Sequence, residues 1–173
     1  NSDVRFDTKP FSSKMTSTCL TLVTPDKDRS FALCKDTAGW FLNPADLPDL
    51  PERENQYVYL ESNTASMAEQ GDQNLLAAAV EKYAGTGIKV IINLNDREIV
   101  RGAQQTLQQL LQKDIAFFIG NIAEIHTLFG TNNIDDAWQS VLATGRSFAV
   151  TDGPNGAYIL NKGSVTHLPA VPL

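Results

Sequence analysis

Histidine and cysteine are scarce in this chain, with two of each among 173 residues. His126 and His167 stand far from each other and from Cys19 and Cys34, so no zinc-ligand spacing is present. Two histidines so placed define no Ser/His/Asp nucleophile system either. Positive charge is also in short supply. Lys and Arg number 14 against 20 Asp and Glu, for a net charge of −6, and no basic stripe marks a nucleic-acid footprint. Phosphate ligands stay open, because helix amides and a metal hold them in acidic proteins too. No apolar run approaches the roughly 18 residues of a membrane span. No secretory signal is visible, and a cytosolic location is expected. Internal repeats and low-complexity tracts are absent. What is present is an ordinary apolar content of 42% and enough length for one domain with a sizeable core.

Hydrophobic periodicity divides the chain into alternating strands and helices. Thr18–Val23 and Arg29–Cys34 read as a hairpin turning on Pro25-Asp26-Lys27-Asp28. Phe41–Pro51 reads as a proline-rich connection with a helical turn at Ala45–Leu47, and Tyr57–Leu60 as a short strand. Ser62–Asp72 is polar, a loop or weak helix. Gln73–Tyr83 has Leu75, Leu76, Ala79 and Val80 on one helical stripe, closed by Gly85. Lys89–Asn93 reads as a buried strand, Val100–Leu111 as a helix with its glutamines toward water, and Ile115–Ile119 as the next strand, broken by Gly120. Ile134–Leu142 is a helix with Trp138 and Val141 inward, and Phe148–Val150 a strand. Ala157–Leu160 and Val165–Leu168 form an antiparallel pair on Asn161-Lys162-Gly163. Alternation of this kind predicts right-handed parallel crossovers in an α/β sheet.

Two stretches carry chemistry. Asn121 caps a helix that runs through Ile125 and Leu128 to Gly130, and Glu124 lies on the same face of its first turn. Free amides and the helix dipole suit an anion there, and the carboxylate suits magnesium beside substrate phosphates. The same Asn and Glu also make a capping box that needs no ligand. Thr151 is followed by Gly153 and Gly156, which let backbone amides approach a ligand closely. Pro154-Asn155-Gly156 is equally an ordinary turn. Asn95 and Asp96 follow a predicted parallel strand at its carboxyl end, where open α/β sheets bind ligands, although Asx turns are common there too. Arg29 could meet phosphate or simply face solvent.

The order of these pieces resembles the ribokinase/PfkB family of carbohydrate and nucleoside kinases, in its adenosine-kinase-like branch. Thr16 to Ser30 looks like the family hairpin "T-G-T-x-L-x-L-V-x-P-D-G-E-R-T", and Leu42-Asn43-Pro44-Ala45-Asp46-Leu47 like "L-S-P-E-D-L". Asn93-Leu94-Asn95-Asp96, with Val100 and Arg101, is similar to "N-L-S-D-x-x-x-V-x-R". Asn121 and Glu124 match the N-x-x-E motif. The resemblance implies a ribokinase-like α/β fold over residues 1–173: a mostly parallel sheet flanked by helices, an N-terminal β-hairpin and a C-terminal antiparallel pair. It implies ATP and Mg2+ as cofactors, a sugar or nucleoside as acceptor, Glu124 on the metal, and Asn121, Thr151, Gly153, Gly156 and Asn95 on the nucleotide.

Departures accompany the likeness. Ser17 and Ser62 stand where glycine is usual, and Asp36-Thr37-Ala38-Gly39 replaces a "G-A" bend. The family's "D-T-T-G-A-G-D-x-F", which supplies the anion hole and the catalytic aspartate, is not in the chain, nor are the glycine-paired N-terminal substrate motifs. The expectation is therefore a partial domain with no catalytic base of its own, inactive alone, whose open sheet edge invites pairing or a homodimer. The competing expectation is a non-catalytic nucleotide- or sugar-binding module on the same fold.

The cysteines carry one register argument. A two- or four-residue hairpin loop sets Leu22 opposite Phe31 and Leu20 opposite Leu33 on an apolar side, and Cys19 opposite Cys34 on the other. Either a redox clasp or two reduced thiols would follow.

Overall fold

A computed structural model describes residues 12–26, 29–34, 36–51, 55–65 and 74–171. A two-stranded antiparallel hairpin, β1 (Cys19–Val23) and β2 (Arg29–Leu33), precedes a six-stranded sheet. That sheet contains β3 (Tyr57–Glu61), β4 (Lys89–Asn93), β5 (Phe117–Asn121), β6 (Phe148–Thr151), β7 (Ala157–Asn161) and β8 (Ser164–Leu168) in spatial order equal to chain order. β3 to β6 are parallel, and β7 and β8 close the sheet antiparallel, as the alternation predicts. The helices are α1 (Leu75–Tyr83), α2 (Arg97–Leu110), α3 (Ile122–Phe129) and α4 (Ile134–Ala143). The fold is the mostly parallel, ribokinase-like α/β sheet that the motifs imply.

Each helix begins where a side chain satisfies its first amides. Asn74, Asp96, Asn121 and Asn133 accept from Ala77, Glu98, Glu124 and Asp136 backbone N–H groups. The Asp96 cap starts α2 at Arg97, ahead of the predicted Val100. Its glutamines are not all toward water: Gln104 and Gln108 donate to the Thr127 and Leu128 carbonyls, satisfying the open end of α3. Gly130, at φ 67°, ends α3 as expected. Gly120 does not break its strand but lies buried inside β5. The segment before β3 is strapped to α1, with Tyr83 Oη donating to the Pro48 carbonyl (2.7 Å) and Lys82 Nζ 2.7 Å from Asp49. Of the polar stretch after β3, Ser62–Ala65 is a 3-10 turn; residues 66–73 lie outside the described residues.

One core lies between the helices and one sheet face. Val90, Ile92, Phe118, Phe148, Val150 and Leu160 meet Leu76, Val80, Val100, Leu107, Ile125, Leu128 and Val141 there. Phe118 and Phe148 face each other in register, their rings stacked at 4.9 Å.

The N-terminal hairpin corrects the predicted pairing. Cys19 faces Leu33, Leu20 faces Ala32 and Thr21 faces Phe31. Five positions in the sequence separate Val23 from its partner Arg29, an odd number, and this moves the register by one residue relative to an even separation. Leu20 and Leu22 therefore lie on the face opposite Phe31 and Leu33, and no single apolar side forms. Cys34 follows β2 and donates its N–H to the Thr18 carbonyl (3.0 Å), so it pairs with Thr18 and not with Cys19. Facing residues share a side, so the two cysteines project from opposite faces. The redox clasp is excluded, and the two cysteines form no disulfide with each other. Every residue of both strands is exposed, so no buried face selects the register and the loop decides it.

Phe118→Ala should lower the unfolding free energy by about 3–5 kcal/mol, whereas Phe31→Ser should change it by less than about 0.5 kcal/mol; urea titration followed by circular dichroism measures both. Under mild oxidant, both thiols should remain alkylatable, with no fast-migrating intramolecular disulfide species on a non-reducing gel.

Candidate functional site

The carboxyl ends of β4, β5 and β6 gather most of the polar residues singled out from the sequence. Asn121 is both the last residue of β5 and the cap of α3, and in the sheet it pairs with Thr151, the last residue of β6. The two stretches are thus neighbours on one rim. Next to them, the main chain leaves β4 through Leu94, Asn95 and Asp96. Leu94 N–H donates to the Ile119 carbonyl (2.8 Å), which ties this bend to β5. Asn95 is exposed and sits at φ 73°, a left-handed conformation that asparagine tolerates better than most residues.

The Asn121–Glu124 pair is closed on itself. Asn121 N–H donates to Glu124 Oε2 (2.9 Å), Asn121 Nδ2 to Oε1 (2.5 Å), and Glu124 N–H to Asn121 Oδ1 (3.0 Å). Glu124 is 3% exposed. Burial pushes its carboxyl above the usual value, the Asn121 amide works against that rise, and the nearby Asp96 carboxylate adds to it. Gly120 makes this geometry accessible. A Cβ there would stand 2.8 Å from both Glu124 Oε2 and Leu94 Cδ1. Its role is close approach, which its reading as a strand breaker missed.

The glycine turn is less open than its sequence implies. Gly156 N–H donates to the Gly153 carbonyl (3.1 Å), Asn155 N–H to the Asp152 carbonyl (2.9 Å), and Asp152 N–H to the Gly156 carbonyl (2.8 Å). Gly156 has φ 98°, and a Cβ there would stand 2.1 Å from the Leu168 carbonyl. Gly156 is therefore required by the chain that leaves β8. Gly153 has φ 50° with open space around it, and Thr151 is exposed on the rim.

Sequence reasoning passed over a second polar group on the same rim. Asn93 Nδ2 lies 3.4 Å from Glu61 Oε1 at the carboxyl ends of β4 and β3. Desolvation, and then the Glu61 charge, raise the Tyr59 phenol above its usual value. Buried Ser62 donates to the Leu94 carbonyl, which gives a structural use to the hydroxyl found where glycine was expected. The signal was available, because Glu61 and Asn93 are polar endings to apolar runs. The remaining candidates are peripheral. Arg29 opens the exposed β2, His126 Nδ1 is 2.9 Å from Thr131 Oγ1, and His167 Nε2 is 2.7 Å from the Asn155 carbonyl.

Among the described residues no cluster of three His, Cys, Asp or Glu forms a metal cage. Each Glu124 oxygen accepts a hydrogen bond from Asn121 and retains further lone pairs, so the carboxylate suits a magnesium ion held through water and phosphate oxygens.

A family profile described as pfkB family carbohydrate kinase matches residues 6–173, and the chain belongs to that family. The fold is shared with solved structures at low identity. An adenosine kinase from Sinorhizobium meliloti superposes with a TM-score of 0.81 at 19% identity, covering 97% of this chain and 51% of that one. A probable sugar kinase from Rhizobium etli CFN 42 gives 0.82 at 19% identity, covering 96% and 50%. A fructokinase from Vibrio cholerae O395 in fructose, ADP and calcium ion bound form gives 0.72 at 21% identity, covering 90% and 52%. The chain thus spans about half the length of these proteins. No curated protein matches it. Among the described residues no helix is long and apolar enough to cross a membrane.

Glu124 yields a pH prediction with a defined sign. Its folded-state pKa lies above the unfolded value, so the folded state holds the proton more tightly. Stability is then favoured below the unfolded value and declines as pH rises through the raised one. Glu124→Gln should remove that decline from the variant's stability–pH curve, so that it remains only in the wild-type curve, measured by urea unfolding at fixed ionic strength. Gly120→Ala should destabilise by about 1–3 kcal/mol through overpacking, and Asn121→Ala by about 1 kcal/mol through loss of the cap.

Proposed function

We propose that this chain forms the nucleotide-side half of an enzyme that transfers the γ-phosphoryl group of ATP to a hydroxyl of a sugar or nucleoside. The observation that carries the reading is the adjacency of Asn121 and Thr151 on one sheet rim, at the mouth of α3, with Glu124 buried beneath. Family membership and the ligands named for the Vibrio fructokinase support the reaction class. A helix mouth and a strand end meeting at the carboxyl edge of a parallel sheet favour a polyanion.

In this reading the start of α3 and the Thr151 hydroxyl would hold the phosphates. Asn121 holds Glu124 in place, and Glu124 would hold a magnesium ion, which would supply charge neutralisation for the phosphates. Gly153 would give the nucleotide room, Gly156 holds the turn against the chain after β8, and Asn95 would contribute to phosphate binding from the neighbouring bend. Catalysis is then positioning and charge neutralisation. The proton acceptor lies outside these residues, and the protein is cytoplasmic. The closed capping box and the internally bonded Gly156 amide favour a second reading, in which the fold binds nucleotide or sugar without turnover.

Two measurements test the proposal, and the second separates the readings. The purified chain should give no phosphorylation of adenosine, ribose or fructose with MgATP. In a polypeptide active with one of these acceptors, Glu124→Gln should lower kcat by about 10–100-fold, as changes beside metal ligands do, and raise the magnesium concentration at half-maximal rate. An unchanged magnesium dependence with unchanged kcat would remove Glu124 from the reaction.

A further inference from the structure

β8 grips the glycine turn at two successive residues. The Leu168 carbonyl lies so close to Gly156 that no Cβ fits there. One residue earlier, His167 Nε2 lies 2.7 Å from the Asn155 carbonyl, 12 positions back in the chain. A carbonyl only accepts, so Nε2 carries the proton and donates. The His167 ring is exposed, yet stacking sets its place. Its register partner on β7 is Tyr158, with ring centroids 4.7 Å apart and planes 26° apart. Tyr158 lies in turn against Trp138 of α4 at 4.9 Å. Tyr158 and Trp138 pack on the hydrophobic core, so this column ties the donor to the body of the fold. The sequence gives no sign of it, because the acceptor belongs to the turn before β7 and β8 is exposed along its whole length.

This hydrogen bond fixes one peptide plane. The Asn155–Gly156 peptide is trans, so its C=O and N–H point to opposite sides. With the carbonyl on His167, the Gly156 N–H turns inward to the Gly153 carbonyl (3.1 Å). Glycine sets no strong φ preference at 156, so the local chain does not forbid the flipped plane. A flip would lose both hydrogen bonds and aim the Asn155 carbonyl at the Gly153 carbonyl. Two carbonyl dipoles directed into one turn repel an anion, where backbone N–H groups attract it. We propose that His167 is a positioning residue for the candidate nucleotide turn, a role that rests on the phosphoryl-transfer reading: it donates to the Asn155 carbonyl and so keeps this peptide in the orientation that leaves the turn open to an anion. A hydrogen bond that served the hairpin alone would affect folding and leave nucleotide affinity unchanged.

Two variants test this. His167→Phe keeps a stacked ring and removes the donor, and His167→Gln returns an N–H donor at similar reach. Because the residue is exposed, both should unfold at the urea midpoint of the parent chain. In the chain alone, hydrogen exchange of the Gly156 amide, read by NMR, should be about tenfold faster with His167→Phe and close to the parent rate with His167→Gln. In a polypeptide active with one of the acceptors above, His167→Phe should raise KM for MgATP about five- to tenfold, the worth of one hydrogen bond, with kcat and the acceptor KM within about twofold of the parent. His167→Gln should recover most of that loss. Unchanged Gly156 exchange with His167→Phe would overturn the proposal whatever reaction the protein performs. Faster exchange with an unchanged KM for MgATP would also overturn it, and would leave the phosphoryl-transfer reading standing. A parent polypeptide that never saturates with nucleotide would overturn that reading and the positioning role together, while the exchange rates would still report the hydrogen bond.

Discussion

The stacking of Phe118 on Phe148 at the centre of the sheet is the contact on which the rest depends. Both side chains are fully buried, and they stand opposite each other in the parallel pairing of β5 and β6. A slip of one residue would turn either strand inside out, so the cost of exposing these rings holds the register. Three residues further on, the same register sets Asn121 beside Thr151. The geometry of the candidate site is therefore a consequence of core packing, and no contact between the site residues themselves is needed to bring the two strand ends together.

A second constraint concerns Glu124. A carboxylate this buried persists only with hydrogen-bond donors on its oxygens, and Asn121 supplies one to each. The absence of a side chain at Gly120 lets the carboxylate lie against β5. The arrangement is at once a helix cap and a preorganised oxygen donor, which is why its sequence signature reads equally well as either. The glycine turn shows the opposite balance. Gly156 is required by the chain leaving β8, while the rim beside it is left to Thr151 and Gly153.

Much of this was legible in the chain because the signals are local. α3 was bounded correctly by Asn121 and Gly130, since capping and the left-handed cap act within one turn. The β7–β8 pair followed from Asn161-Lys162-Gly163, where Lys162 and Gly163 both take positive φ. Errors arose where distant parts decide. The β1–β2 register depended on a loop whose length was misread, and no buried face was available to correct it. Gln104 and Gln108 were assigned to water because their partners, the last carbonyls of α3, lie elsewhere in the chain. Glu61 and Asn93 were passed over because their contact forms only when β3 and β4 pair.

Residue order alone settled the kinds of elements, most of their ends, the α/β class and the family likeness, because hydrogen-bond capping, turn chemistry and hydrophobic period act over a few residues. Folding settled which strand ends adjoin, which face carries the helices and which glycine is needed for close contact. Those outcomes depend on register and crossover hand, and both are chosen by burial summed over segments remote from one another in the chain.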